Sequence, residues 1–137
     1  VSRWLTSGGV GNGLRTDNTF FIACMRNPTF RDRFLTHFGQ RLATSFSSES
    51  VLARFEARYN ILKTILPDHW ARWNESEASY NRELSKLISY AKSRPTRLLQ
   101  FLKYSDALKL SQNQMGRYFG DAMAKLGLAY DTIPKLK

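Results

Sequence analysis

Residues 7–13, SGGVGNG, are the stretch whose composition comes closest to a phosphate-binding loop. Backbone N–H groups of a glycine-rich loop that leads into a helix can bind phosphate, and Arg15 stands close by. The spacing matches neither a G-K-[ST] ending nor a G-x-G-x-x-G element between a strand and a helix. The pattern therefore favours a glycine-rich arm over an anion site, and we expect residues 1–16 to form a loop without helix or strand.

Side chains that bind metals or act as nucleophiles are scarce. His37 and His69 lack the spacing of metal ligands and Cys24 is the only cysteine, whereas a zinc site needs three or four convergent ligands. His37 stands beside an apolar helix face, which favours a packed histidine over a catalytic base. No serine or cysteine has the sequence context of an activated nucleophile. We therefore assign no catalytic, cofactor-binding or metal-binding residue to this chain.

The remaining polar and aromatic candidates have simple structural interpretations. Four carboxylates that stand near basic residues are typical of helix surfaces and first turns: Asp68, Glu75, Glu77 and Glu83. Trp70 and Trp73 share one side of a predicted turn, where they could form a binding platform. A buried corner of the fold is the favoured interpretation of this pair.

A basic helical module that binds nucleic acid is the alternative function. Lysine and arginine number 21 against 11 acidic residues, and the net charge of +10 favours acidic partners. Within residues 96–126, a helix, a short turn and the sequence SQNQMGRYFG resemble a helix-turn-helix. Tyr118 and Phe119 occupy positions that a reading helix would keep polar, and mainly Gln112, Arg117 and Asp121 remain outside. The basic residues are also spread along the whole chain, so nucleic acid is the disfavoured partner.

The length of 137 residues is typical of one domain that buries a core without disulfides or metal. A single cysteine excludes an internal disulfide, and no apolar run reaches the length of a transmembrane helix, so no membrane partner is expected. No targeting segment is visible, and the compartment stays open. Because the chain starts at Val1 rather than at a methionine, we expect a fragment or a processed product.

Residues 27–46 form the predicted central helix. An apolar stripe runs along it at helical spacing: Phe30, Phe34, Leu35, Phe38, Leu42 and Phe46. Asn27 stands at an N-cap position and Pro28 at the first helical position, where its missing N–H costs nothing. Three aromatic rings on one face are too large to bury against a single neighbour, so we expect the rest of the chain to pack around this helix.

The surrounding pattern predicts further helices and no strands. Apolar residues recur at helical spacing within residues 17–25, 47–66, 67–73, 76–93, 98–102 and 111–126. Arg94-Pro95 is expected to separate two helices, Ser111 and Gln114 to form a capping box, and Gly127 to end the last helix. The predicted fold is all-α, a compact irregular bundle of six or seven helices. It comprises an arm over residues 1–16, a helical domain over 17–128 and a frayed basic tail over 129–137.

Several elements occur in an order that points to a known family. An apolar helix leads to an N-P-x-F-R-x-R-F element, carried here by Asn27, Pro28, Phe30, Arg31, Arg33 and Phe34. A T-x-F-S break follows at Thr44, Phe46 and Ser47, and a long helix then leads to an approximate P-x-x-x-R-W turn at Pro67, Arg72 and Trp73. A later helix closes on Arg94-Pro95. In order and spacing, these elements resemble the C-terminal part of the CotH (spore coat protein H) kinase-like family, to about residue 126.

The resemblance implies an atypical protein kinase fold, the use of ATP with a divalent metal such as Mg²⁺, and phosphorylation of Ser or Thr on coat or surface proteins. The nucleotide-binding lysine and the W-D-x-D-type metal motif of that family precede the N-P-x-F element, and residues 1–18 contain no such motif. We therefore expect the C-terminal subdomain of the kinase-like fold, inactive alone, which acts as a scaffold or docking surface.

The partners that the resemblance implies are the remainder of the chain's own kinase domain and coat or surface protein substrates. Arg31 and Arg33 belong to the element that carries the resemblance, so we expect them to contact that remainder. The resemblance also implies a location in the spore coat or at the cell surface.

Overall fold

The computed structural model describes residues 9–11, 14–16 and 19–135. Two short strands, β1 (Gly9–Gly11) and β2 (Leu14–Thr16), precede six helices: α1 (Thr19–Arg26), α2 (Pro28–Ala43), α3 (Ser48–Leu62), α4 (Leu66–Trp73), α5 (Glu77–Lys103) and α6 (Gln112–Lys125). The helices form an all-α bundle, which confirms the predicted fold class. No helix in these ranges is long and apolar enough to cross a membrane.

The strands β1 and β2 pair as an antiparallel hairpin, with Val10 opposite Arg15. The prediction of a loop over residues 1–16 is therefore wrong within both strands, and residues 1–8 lie outside the described part of the chain. Asn12-Gly13 separates the strands in sequence, and Asn-Gly is the dipeptide that best supports a two-residue hairpin turn. The Asn-Gly dipeptide was therefore a sequence signal for the hairpin, although the high glycine content of the segment favoured a loop.

The central helix α2 begins as predicted and ends early. The backbone N–H of Phe30 donates to the side-chain oxygen of Asn27 (3.1 Å), and Pro28 is the first helical residue. The helix ends at Ala43 rather than at residue 46, because Thr44 leaves helical geometry at φ −118° and ψ −92°. The chain then turns directly into Ser47, whose hydroxyl caps α3.

The buried face of α2 is offset from the predicted phenylalanine stripe. Leu35, Gly39 and Leu42 are buried, whereas Phe30 remains 38% exposed and Phe46 50% exposed. The expectation that Phe30 belongs to the core is therefore wrong. Small and branched residues take the deepest positions because another helix, α6, lies close against this face.

The phenylalanine rings instead fill the sides of α2. Phe34 and Phe38 are half-buried, and their ring centroids lie 5.9 Å apart. Phe34 meets Phe21 of α1 edge-on at 5.2 Å, and Phe38 meets Phe119 of α6 edge-on at 6.2 Å. Edge-to-face contacts of this kind add to the stabilisation from buried area. The aromatic residues of α2 therefore join three helices.

The helices α2 and α6 approach most closely at Gly39. A Cβ atom built on Gly39 would lie 1.7 Å from the carbonyl oxygen of Tyr118, so only glycine fits there. The core extends from this contact to the second half of α5, and six of its side chains are almost fully buried: Leu35, Leu42, Leu99, Met115, Phe119 and Ile133.

The helix α5 runs through Pro95 without a break, so the predicted separation of two helices at Arg94-Pro95 is wrong. Proline has no N–H to donate to the carbonyl of Ala91, four residues earlier. The hydroxyl of Ser48 donates to that carbonyl instead (3.1 Å) and lies 3.2 Å from the carbonyl of Lys92. A donor from the first turn of α3 thus replaces the bond that proline removes.

Residues 48–90, which comprise α3, α4 and the first half of α5, form an outer hairpin with no buried residue. Trp70 packs on Tyr80 with ring centroids 5.7 Å apart, whereas Trp73 is 63% exposed. The predicted buried corner is therefore wrong for Trp73. Ile61 and Ile65 are also exposed, at 65% and 58%, because α3 packs mainly on one neighbour, α5. Two packed helices do not bury a core of their own.

The C-terminal segment follows the prediction up to the end of α6. Ser111 and Gln114 form the predicted capping box, and Gly127, at φ 63°, ends α6 as predicted. The backbone N–H of Leu128 donates to the carbonyl of Met123 (2.9 Å), which completes the predicted stop.

The expectation of a frayed tail after residue 128 is wrong for residues 129–135. Ile133 is 1% exposed and belongs to the core. The ammonium of Lys103 donates to the carbonyl of Tyr130 (2.7 Å), and the hydroxyl of Tyr104 donates to the carbonyl of Ile133 (3.1 Å). The end of α5 therefore holds this segment through side-chain bonds to its backbone.

Candidate functional site

A groove of about 790 Å³ lies between the first turns of α2, the segment that joins α5 to α6, and the start of α6. We call it the basic groove. Its lining includes Pro28, Thr29, Arg31, Asp32, Arg33, Leu35, Leu108, Lys109, Gln114 and Tyr118. The N-P-x-F-R-x-R-F element forms one wall. One of the sequence elements that carry the family resemblance thus lines a large cavity.

Arg31 and Asp32 connect α2 to the rest of the groove. The guanidinium of Arg31 donates to the carbonyl oxygen of Leu108, across 77 residues of sequence. The carboxylate of Asp32 accepts a hydrogen bond from the hydroxyl of Tyr118 (2.6 Å). It also forms an ion pair with the guanidinium of Arg117 (2.9 Å). These contacts fix the groove walls relative to one another.

Tyr118 is held in its protonated form. The hydrogen bond to Asp32, followed by burial, raises the pKa of the Tyr118 hydroxyl above its ordinary value. The phenol therefore acts as a donor to a carboxylate rather than as a base or nucleophile at neutral pH. Asp32 and Tyr118 were not identified from the sequence, since 86 residues separate the two partners.

The remaining charges of the basic groove are positive. Arg33 and Lys109 line it beside Arg31, and Arg117 reaches Asp32 from α6. Lys109 adopts φ 45°, in the left-handed region that residues with a Cβ seldom occupy. Among the described residues that line the groove, Asp32 is the only carboxylate, and it is paired with the positive charge of Arg117. The first turns of α2 and α6 add the positive ends of two helix dipoles.

The candidates singled out in the sequence do not converge. His37 is exposed on α2, so the prediction of a packed histidine is wrong, and His69 lies beside Trp73 with ring centroids 6.5 Å apart. Cys24 is half-buried on α1. Within the described ranges, no group of three His, Cys, Asp or Glu side chains comes together.

The four carboxylates interpreted as surface charges are exposed. Asp68 and Glu77 lie in the first turns of α4 and α5, as predicted. Glu83 accepts a hydrogen bond from Lys86 (2.7 Å), which lowers the pKa of its carboxyl below the ordinary value.

The described residues do not fit an ATP–Mg²⁺ site. Phosphoryl transfer requires groups that cradle phosphates, metal-binding carboxylates and a positioned base in one cleft. Among the described lining residues the basic groove offers one carboxylate, Asp32, and one of its oxygen atoms already contacts both Tyr118 and Arg117, whereas a nucleotide-bound metal is usually held by more than one protein ligand. We therefore derive no catalytic step through this nucleotide or metal.

The helix-turn-helix interpretation of residues 96–126 conflicts with the packing of α6. The residues before Lys103 continue α5, and α6 packs along the central helix α2. Phe119 is 1% exposed, whereas Gln112, Arg117 and Asp121 stay outside as the pattern indicated. Asn113, Gln114 and Lys125 of α6 are exposed as well, so the conflict rests on the burial of Phe119 and the half-burial of Tyr118.

A second cavity of about 530 Å³ lies along α1 and the first turns of α2. We call it the apolar groove, and its lining includes Phe20, Ala23, Cys24 and Phe30. Phe20 is 83% exposed. Large apolar side chains with this exposure mark interaction surfaces when they cluster.

Comparison with known families gives one match. The family model described as CotH kinase protein matches residues 10–98, which is more than half of the chain. The matched range starts in the β hairpin, before the resemblance noted in the sequence at residue 20. It ends at Leu98, short of residue 126. No curated protein and no solved structure matches the chain significantly.

Proposed function

Because this chain belongs to the CotH kinase family, we propose that it forms the helical C-terminal part of an atypical protein kinase. In this role it is a scaffold and docking subdomain without an active site of its own. The intact protein would then phosphorylate Ser or Thr with ATP and Mg²⁺, and the remainder of its kinase domain is the first partner of this chain.

The observation that carries the proposal is the apolar groove. Phe20 and Phe30 are exposed to 83% and 38%, respectively, although they stand in the segment that leads into the core. Phe30 packs edge-on against Phe21 with ring centroids 6.3 Å apart, so its position is fixed by α1. Covering Phe20, which is 83% exposed, contributes about 1.5–3 kcal/mol, and covering the smaller exposed part of Phe30 adds less.

The charge pattern agrees with a docking role for the same end of the molecule. Arg33 lines both the apolar groove and the basic groove. Its side chain is exposed, whereas the neighbouring Arg31 is tied to Leu108. Of the two arginines in the family element, Arg31 thus holds the helical part together and Arg33 faces outward, where a partner surface can meet it.

The experiment uses the complete encoded protein and compares two phenylalanine variants. Phe20→Ser removes an exposed ring from the apolar groove, and Phe46→Ser removes a ring of 50% exposure at the other end of α2. The proposal predicts that Phe20→Ser lowers the thermal stability and kinase activity of the complete protein, while Phe46→Ser changes neither appreciably. Equal effects of both substitutions, or none from Phe20→Ser, would contradict the assigned docking surface.

We propose coat or surface proteins as the substrates of the intact enzyme, and the spore coat or cell surface as its location. The family match supports the association with the spore coat. Phosphorylation of a coat protein by the purified intact enzyme, tested with radiolabelled ATP, is expected. Loss of labelling when the helical part is deleted would support its docking role, and undiminished labelling would oppose it.

A further inference from the structure

We propose that the basic groove binds an acidic peptide segment of a partner protein. The proposal rests on three basic side chains, Arg31, Arg33 and Lys109, that line one cavity of about 790 Å³, a volume within the range of specific ligand sites. A fourth, Arg117, pairs with the lining residue Asp32. The basic groove and the apolar groove share Thr29 and Arg33, so the proposal is tested on this chain alone, where no other part of the kinase domain is present.

The positive charge is distributed unevenly along the chain. The outer hairpin, residues 48–90, contains six basic and six acidic residues. The rest of the chain therefore carries the entire excess, with 15 basic against 5 acidic residues. Since the groove lies on that part of the molecule, an acidic ligand is drawn to it and away from the outer hairpin.

Two of the basic side chains at the groove are already held in place. Arg31 is bonded to the Leu108 carbonyl and Arg117 to Asp32, each through part of its guanidinium. A guanidinium has five N–H donors, so both arginines keep donors for a second acceptor. Arg33 and Lys109 form no ion pair within the described part of the chain. Anchored donors lose less conformational freedom when a carboxylate binds.

The groove is better suited to a peptide than to a single-stranded nucleic acid. Bases need exposed aromatic faces on which to stack. Tyr118 is the one aromatic residue among the described lining, and the Arg117 guanidinium lies 5.1 Å from its ring centroid. Its hydroxyl is bonded to Asp32. Acidic side chains of a peptide need only positively charged hydrogen-bond donors to bind, and Arg31, Arg33 and Lys109 provide them.

The test measures binding of a fluorescein-labelled peptide of alternating Glu and Ser by fluorescence anisotropy, at low ionic strength. The groove variant Arg33→Glu with Lys109→Glu reverses two lining charges. The control variant Arg54→Glu with Arg58→Glu reverses two exposed charges on α3 and lowers the net charge by the same amount. Lys109→Gly is a third variant, which removes the charge and suits the left-handed backbone at φ 45°.

The groove variant is expected to weaken peptide binding at least about tenfold, since reversal replaces attraction by repulsion at close range. The control is expected to weaken it by about twofold or less, because its charges are distant and screened. Lys109→Gly should weaken binding measurably while its unfolding temperature stays at or above that of the wild type. Equal weakening in groove and control variants, or no binding by the wild type, would overturn the proposal. Tighter groove-dependent binding of an oligonucleotide of equal charge would overturn the choice of a peptide.

Discussion

The close approach of α2 and α6 at Gly39 gives the sharpest test of the fold. In Gly39→Ala, the added Cβ would lie 1.7 Å from the Tyr118 carbonyl oxygen and 2.8 Å from its carbon. Both are backbone atoms, which cannot rotate away as the end of a long side chain can. The helices would have to separate by about 1.7 Å before the contact reached an ordinary distance of 3.4 Å.

Separation on that scale loosens the packing of the core around Leu35, Leu42 and Phe119. A gap of about 0.5–1 Å already forfeits a quarter to a half of the dispersion attraction across it. Overpacking of a core costs about 1–3 kcal/mol, occasionally more, and a backbone clash belongs at the upper end. The higher helix propensity of alanine offsets up to about 1 kcal/mol of this destabilisation. We therefore expect Gly39→Ala to lower the free energy of unfolding by about 2–3 kcal/mol.

Urea denaturation followed by far-ultraviolet circular dichroism measures this change. Gly116→Ala is the matched control, since it lies on α6 with nothing within 4 Å of the added Cβ. There alanine should raise the free energy of unfolding by about 0.5–1 kcal/mol. A Gly39→Ala protein as stable as the wild type, or stabilised like the control, would refute the α2–α6 contact.

Other substitutions test the long-range contacts. Ser48→Ala should cost about 1 kcal/mol in urea denaturation, because it removes the donor to the Ala91 carbonyl beside Pro95. Ile133→Ala should lower the free energy of unfolding by about 2–4 kcal/mol in the same assay, since the side chain is fully buried. An unchanged midpoint would mean that the segment after residue 128 is frayed. The folded state raises the Tyr118 pKa, so the protonated hydroxyl stabilises the folded protein. This stabilisation is complete below the ordinary pKa of 10.0 and is lost as the pH rises through the higher pKa of the folded protein. The unfolding free energy should therefore fall more steeply above about pH 10 in the wild type than in Tyr118→Phe, and identical pH profiles would contradict the bond to Asp32.

Local chemistry allowed much of the helical architecture to be predicted from the sequence. The Asn27 cap, the Ser111 capping box and the Gly127 stop each depend on residue types within a few positions of one another. The order of elements also indicated the family before any structural comparison, and the family match confirms it. Predictions of this kind succeed because the interacting groups lie within one turn of the chain.

The errors arise where a distant residue decides the outcome. The helix continues through Pro95 because the hydroxyl of Ser48, the first residue of α3, donates to the freed carbonyl of Ala91, which lies 43 positions later in the chain. Gly39 has no special neighbours in sequence, and only the crossing of α6 shows why glycine is required. A glycine in the middle of an otherwise strong helix was the available signal, since it lowers helix propensity without local benefit.

The candidate site was only partly predictable for the same reason. Arg31 and Arg33 were identified through the family element, but the sequence could not show that Arg31 bonds Leu108. The pairing of Asp32 with Tyr118 and Arg117 joins residues that lie about 86 positions apart in the sequence. The shape of the groove follows from these contacts, so it appears only once the helices are packed.

Isothermal titration of this chain with ATP in the presence of Mg²⁺ tests the central claim most directly. If the chain is a scaffold and docking subdomain of a CotH kinase, whose nucleotide site is formed elsewhere, the titration should show no saturable heat. The basic groove would then give at most a weak signal that is shared by other anions and removed by salt. Saturable, Mg²⁺-dependent binding of ATP by this chain alone would contradict the account.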